Sequence, residues 1–229
     1  MSIGAILDRL LRGKLIPDDP TTRRAYVADL IRRIALKESV KNSDDSISWH
    51  AFREAEKVTN AEVLNDLEAI VDASKSEEER SAAYFILGTV GKNSGDVRFA
   101  HALMRYAALE QNESSLSTLL ASVEKVRKPL DVPLEPILVF LNDERWLVRH
   151  AAIRALKNCD SPVAEEKLIS LLESTDDQDD KIYCHSTLNQ IGTPRSIPAI
   201  RQNLTSRKRD VKASALAAIV SIQARYGLT

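Results

Sequence analysis

Apolar residues along most of this chain recur at alternating three- and four-residue steps, with short polar or Gly/Pro clusters between the runs. Such steps place the apolar side chains on one face of a helix, so the pattern predicts a string of amphipathic helices. It is clearest between Glu144 and Ile191. Val148, Ala152, Ala155, Leu156 and Cys159 mark one helix, Asp160-Ser161-Pro162 breaks it, and Leu168, Leu171 and Leu172 mark the next. Ile191-Gly192-Thr193-Pro194 then ends a helix through a Gly that can turn the chain and a Pro that cannot continue it.

The same reading extends in both directions. Ser2–Arg12 predicts a short amphipathic helix, and Thr22 to about Val40 a longer one with Tyr26, Leu30 and Ile34 inward. Trp49, Phe52, Ala55 and Val58 follow at helical spacing. Asn60 is placed to cap a helix over Ala61–Ala73, and Ser76 with Glu79 forms a capping-box pattern ahead of Ala82, Ala83, Ile86, Leu87 and Val90. Val97–Glu110, Glu113–Val126, Leu134–Leu141, Arg195–Leu204 and Val211–Tyr226 complete the set.

Every other helix also carries a longer-range signal. Arg80, Arg149, Lys181 and Lys212 are each followed three positions on by a small residue: Ala83, Ala152, Cys184 and Ala215. The basic residues lie 69, 32 and 31 positions apart, so the first gap holds one further repeat, its register near Ser114–Leu116 where no basic residue stands. A large side chain at the small positions would hold stacked helices apart. A repeat of this length signals a solenoid.

The pattern Asp143-x5-Arg149-x2-Ala152-x2-Ala155-Leu156, the turn Ile191-Gly192-Thr193-Pro194 and the following Arg195-Ser-Ile-Pro198-Ala-Ile200 resemble HEAT repeats, in the short variety of the phycobilisome-lyase family. Lys181 and Lys212 stand where that pattern has Arg, and Thr175 where it has the acid of Asp143. The resemblance implies an all-α, right-handed solenoid of about six helix pairs. Residues 1–229 would form one repeat domain, with 1–58 as N-terminal capping helices and an atypical first repeat, and 61–226 as regular repeats. It further implies that the second helix of each pair lines the concave surface.

Composition narrows the function classes. Lys and Arg number 32 against 33 Asp and Glu, a net charge of −1, so bulk attraction to a polyanion is not expected. The chain has no run of eighteen apolar residues and no basic-then-apolar leader, which argues for neither a membrane span nor secretion but a cytoplasmic protein. Cys159 and Cys184 fall at core positions and read as reduced, buried thiols. Motifs with a mechanism attached, such as a Gly-rich phosphate loop, His-Glu-x-x-His or Gly-x-Ser-x-Gly, are absent. His50, His101, His150 and His185 have no ligand spacing, so neither a metal nor another cofactor is expected.

One surface is singled out by helix geometry. If Val148, Ala152, Ala155 and Leu156 point inward, Trp146, His150, Arg154 and Lys157 lie opposite, and the repeat period adds Ile182, His185 and Asn189. Tyr84, Phe85 and Glu77 fall on the same side in the helix of Arg80, two repeats earlier. An outward Trp beside Arg and His has the composition of a binding hot spot; the competing reading packs Trp146 over the edge of its own repeat. Glu173, Asp176, Asp177, Asp179 and Asp180 read as a solvated acidic loop, and Arg201, Arg207, Lys208, Arg209 and Lys212 as a basic end. The expectation is a monomeric, non-enzymatic scaffold, an adaptor or an inhibitor or immunity-type protein, that grips another protein in its groove. The alternatives are an enzyme of the kinds the resemblance offers, bilin lyase-like or DNA glycosylase-like, or a nucleic-acid-binding module.

Overall fold

A computed structural model describes residues 19–228, and the helix expected over Ser2–Arg12 lies outside them. Twelve α-helices fall within that range: α1 Pro20–Ile34, α2 Ile47–Ala55, α3 Val63–Ala73, α4 Glu77–Ser94, α5 Arg98–Ala107, α6 Glu113–Lys125, α7 Glu135–Leu138, α8 Trp146–Ala155, α9 Pro162–Ser174, α10 Gln178–Ile191, α11 Ile197–Gln202 and α12 Arg209–Tyr226. They pair consecutively, α1 with α2 through α11 with α12, and each of the second helices α4, α6, α8 and α10 packs on the next in line. The result is the expected all-α solenoid. Among the described residues the only ladder-like contact is one parallel bridge between Lys128 and Cys159.

Helix starts are set by short polar side chains that accept otherwise unpaired backbone N–H groups. Asp19 accepts from Thr22 N at 2.8 Å, Ser46 from Trp49 N at 3.0 Å, Ser76 from Glu79 N at 3.2 Å and Asn112 from Ser115 N at 2.9 Å. The capping box is only half formed. Glu79 takes the Ser74 hydroxyl at 2.6 Å, and Ser74 Oγ, not Glu79, accepts from Ser76 N. Asn60 accepts from Glu62 N at 2.9 Å, and α3 begins later than expected, at Val63. Helix α1 stops at Ile34 instead of running to Val40, because Glu38 turns forward to accept from Ile47 N and Ser48 N at the start of α2.

The second helices stack through the small positions. Ala83, Ala152, Ala155, Cys184, Ala215 and Ala218 are all fully buried. The backbones also approach closely at Gly88 in α4, where a β-carbon would lie 2.6 Å from Ser122 Cβ and 2.8 Å from Ser122 O of α6. Ion pairs bridge successive repeats at the helix starts: Arg23 with Asp66 at 2.6 Å, Arg80 with Glu110 at 2.8 Å and Arg149 with Asp180 at 2.8 Å. In the repeat without a basic residue, Ser115 is buried and bonds to Glu77 O and Ser81 Oγ, while Asp143 takes Arg145 of its own loop. Thr175, where the acid was missing, donates to Asp180 Oδ2 at 3.0 Å, so the carboxylate is supplied five residues later. Both cysteines are free and buried.

Candidate partner-binding surface

The register of α8 is the expected one, with Val148, Ala152, Ala155 and Leu156 fully buried. Trp146 and Leu147, in its first turn, are 59% and 46% exposed. The indole is not loose. Its ring meets His150 edge-on with centroids 5.6 Å apart, and His150 lies against Tyr183 of α10 at 4.6 Å. His150 Nε2 is 3.1 Å from Asp180 Oδ1, the carboxylate that also holds Arg149. The aromatic platform is therefore anchored through two repeats, and its outer ring faces solvent.

Arg154 and Lys157, one and two turns further on, are half-buried and converge on one carboxylate: Glu124 of α6 receives Arg154 Nη2 at 2.5 Å and Lys157 Nζ at 3.0 Å. Ile182 and Asn189 of α10 are also half-buried, and Asn189 Nδ2 donates to Ala217 O at 3.2 Å. Arg154 and Lys157 thus reach back to α6 and Asn189 forward to α12, while Trp146 is the most exposed of the expected residues.

Two histidines expected there lie elsewhere. His150 is only 7% exposed and His185 is fully buried. A second helix in a solenoid is covered on three sides, by its own first helix and by the second helices before and after it, and both rings point into a lateral joint. His185 Nδ1 lies 2.9 Å from Ser214 Oγ of α12. Burial lowers its pKa to about 4, with the Lys181 charge adding to the effect. Tyr84 is likewise buried, donating to Glu110 at 3.0 Å, while Phe85 is half-buried against Phe52 under the ammonium of Lys125. Glu77 bonds to Asn112. Trp49 is 42% exposed instead of inward, with the Arg53 guanidinium 4.3 Å from its ring centre.

Sequence reasoning missed Leu147 and Glu124. Leu147 follows the Trp directly and lies just outside the apolar stripe. Glu124 sits in the one repeat with no basic residue to fix its register. The acidic loop also divides: Asp177 caps α10 through Asp179 N at 2.8 Å, Asp180 is buried on Arg149, and Glu173, Asp176 and Asp179 are exposed. His150, Asp177 and Asp180 bring ligand-type atoms within 4.8 Å of one another. Arg149 already neutralises this group, with its Nε on Asp180 and Nη2 3.4 Å from Asp177, so the cluster is an inter-repeat joint with a guanidinium at its centre. Arg201, Arg207, Lys208, Arg209 and Lys212 are all exposed and make no ion pair among the described residues. No helix among the described residues is long and apolar enough to cross a membrane.

Comparison with known proteins agrees with this architecture. No curated protein matches the sequence. A designed armadillo repeat protein superposes with a TM-score of 0.53 at 14% identity, over 90% of this chain and 95% of its own. The crystal structure of an engineered protein does so with a TM-score of 0.51 at 17% identity, over 98% of each chain. The family model for HEAT repeats matches residues 134–220, from the start of α7 to within α12. The chain has the fold of an armadillo-type solenoid, and its C-terminal repeats are similar to HEAT repeats.

Proposed function

We infer that this protein is a non-enzymatic binding scaffold that holds another protein on its second-helix surface, centred on Trp146 and Leu147. The observation that carries the reading is the exposed Trp146 ring, backed by His150 and Tyr183. A rigid, half-exposed Trp gains contact area on binding with little loss of side-chain freedom, and Trp and Arg are the residues most often dominant in interface energy. Around it Arg154 and Lys157, held by Glu124, and Ile182 and Asn189 form a rim of ordered polar and apolar groups. His150, though buried, backs the Trp146 ring from within the joint, while His185 lies in the joint between α10 and α12 and takes no part in the surface. An adaptor or an inhibitor or immunity-type role uses a surface of this kind. The finer likeness to phycobilisome-lyase repeats rests on the Gly192-Thr193-Pro194 turn and the Ile197-Pro198-Ala199-Ile200 that follows it. Two buried, reduced thiols suit the cytoplasm.

The test is affinity for a captured partner alongside thermal stability. Trp146→Ala should weaken binding by about thirtyfold, the equivalent of roughly 2 kcal/mol, and leave the melting temperature within a degree or two. Full affinity in Trp146→Ala and Leu147→Ala together would place the site elsewhere. A large stability loss would make the ring a packing element.

A further inference from the structure

The chain has two indoles, and they differ in what lies on them. Over the ring of Trp49 stands the Arg53 guanidinium, 4.3 Å from its centre and held in turn by Glu56 at 2.8 Å. Four residues after Trp146 comes His150, whose ring meets the indole edge-on and leaves its outer face to solvent. Among the described residues no cation lies over the Trp146 ring, although Trp49, Phe85, Tyr106 and Tyr226 each carry one. The basic residues nearest in the chain are turned away, Arg145 onto Asp143 and Arg149 onto Asp180, each at 2.8 Å, and Arg154 onto Glu124. Charge beside the ring is negative instead. A carboxylate oxygen of Asp177 lies within 4.8 Å of a ring nitrogen of His150. Asp177 Oδ1 accepts from Asp179 N and Asp180 N at 2.8 and 3.1 Å, while Oδ2 has only Arg149 Nη2 at 3.4 Å and the side chain is 43% exposed. The backbone bonds hold this carboxyl below the usual carboxylate range, so it is charged at neutral pH. Glu144, two residues before Trp146, and Asp176 and Asp179, flanking Asp177, are exposed and make no ion pair among the described residues.

We propose that the partner's contact on Trp146 is an arginine, whose guanidinium stacks on the outer face of the indole with the Asp177 carboxylate as its counter-charge. The inference rests on the reading of Trp146 and Leu147 as the centre of the binding surface. Trp is the ring that attracts a cation most strongly, and a planar guanidinium, less hydrated than an ammonium, stacks on it well. The stack at Trp49, with its arginine and its acid, is the same arrangement made within one helix and its end. At Trp146, helix α8 supplies the ring and the start of α10 the acid, and the cation is left to the partner. A carboxylate brought to this place would meet Asp176, Asp177 and Asp179, so the same field rejects acidic segments. An aliphatic residue beside the arginine would cover Leu147, which is 46% exposed. One half-exposed ion pair adds little salt dependence to such a complex.

Selection of phage-displayed random peptides on the full chain, with counter-selection on Trp146→Ala, tests the proposal. The expected peptides bind the wild type but not Trp146→Ala, and they share an arginine beside an aliphatic residue. Replacing that arginine with alanine should weaken binding by about tenfold. Asp177→Asn removes the counter-charge but keeps the cap of α10, since Asn caps as well as Asp, so the melting temperature should change little. It should weaken the arginine peptide by about threefold and leave the alanine form unaffected. Trp146-dependent peptides with no shared arginine overturn this inference and leave the binding surface standing. If no peptide depends on Trp146, the surface fails and the inference with it. Equal loss for both peptide forms in Asp177→Asn overturns the assignment of the counter-charge.

Discussion

His185 shows how much one ring can be made to depend on its proton. Ser214 Oγ donates to Val211 O at 3.0 Å, so its single proton is used and it accepts from His185 Nδ1–H. The other ring nitrogen, Nε2, is buried with no partner. Protonating it would create an unpaired cation in the α10–α12 joint, and burial accordingly holds the pKa near 4, below the ordinary 6.5. Between those values the unfolded chain takes up a proton that the folded chain refuses. The stability present above pH 6.5 is therefore lost as pH falls toward 4, by about 3 kcal/mol from this residue. Denaturant unfolding at pH 7 and pH 4.5 should show that loss, and His185→Leu should remove most of it.

Lys128 works in the same direction in a higher range. Its ammonium is buried at the end of α6 and donates to Val123 O and Val126 O, both at 2.7 Å, with no carboxylate bonded to it. Desolvation pushes the pKa down to about 7 from the usual 10.5. A neutral amine keeps two N–H donors for the same two carbonyls, so deprotonation sacrifices neither bond. From pH 7 upward the unfolded chain holds the proton that the folded chain has released, and stability rises with pH until the unfolded lysine titrates. Unfolding free energies at pH 7 and pH 9 should differ by a few kcal/mol in the wild type and by much less in Lys128→Met.

At the level of the helix, joints between repeats are set by what fits between two backbones. Gly88→Ala improves the intrinsic helix propensity of α4 by about 1 kcal/mol. The added carbon would nevertheless meet Ser122 Cβ, Cα and O within 2.8 Å, two of which are backbone atoms that cannot rotate away. The clash wins, and the variant should be less stable by roughly 1–3 kcal/mol in a denaturant melt. Ser122→Gly added to it should recover only part of the loss, because the backbone contacts remain. Leu156→Ala should cost roughly 2–5 kcal/mol through lost burial and a cavity, since the side chain is fully enclosed.

These joints also explain what was legible in the sequence. The stripe Val148, Ala152, Ala155, Leu156 and its repeats at Cys184 and Ala215 fixed the inward faces correctly, because burial against the paired first helix has the 3.6-residue period of the helix itself. A helical wheel divided only into inside and outside fails on the lateral faces. His150 and His185 lie there, and the contacts that bury them come from residues some thirty positions away in the next repeat. Glu124 was hidden for a related reason: Ser115 replaces the basic residue that anchors the register elsewhere, so nothing aligned α6 with α8.

For the whole molecule, electrostatics separates the binding classes. Positive and negative residues are nearly equal in number, and four cations of the second-helix row are already engaged: Arg80 by Glu110, Arg149 by Asp180, Arg154 and Lys157 by Glu124. A partner seated on Trp146 and Leu147 meets an apolar centre with a neutralised rim, and its affinity should change by no more than about threefold between 50 and 200 mM salt. A nucleic acid would have to use the unpaired cluster from Arg207 to Lys212, and a site making 6–10 phosphate contacts loses about 10³–10⁵ in affinity over the same range. Binding measured at both salt concentrations, for the wild type and for Trp146→Ala, therefore distinguishes the two modes directly. Weak salt dependence together with sensitivity to Trp146 supports the protein-binding surface. A steep slope that survives Trp146→Ala and flattens in Arg207→Ala/Lys208→Ala would move recognition to the basic end, because only groups that release counterions on binding can produce it.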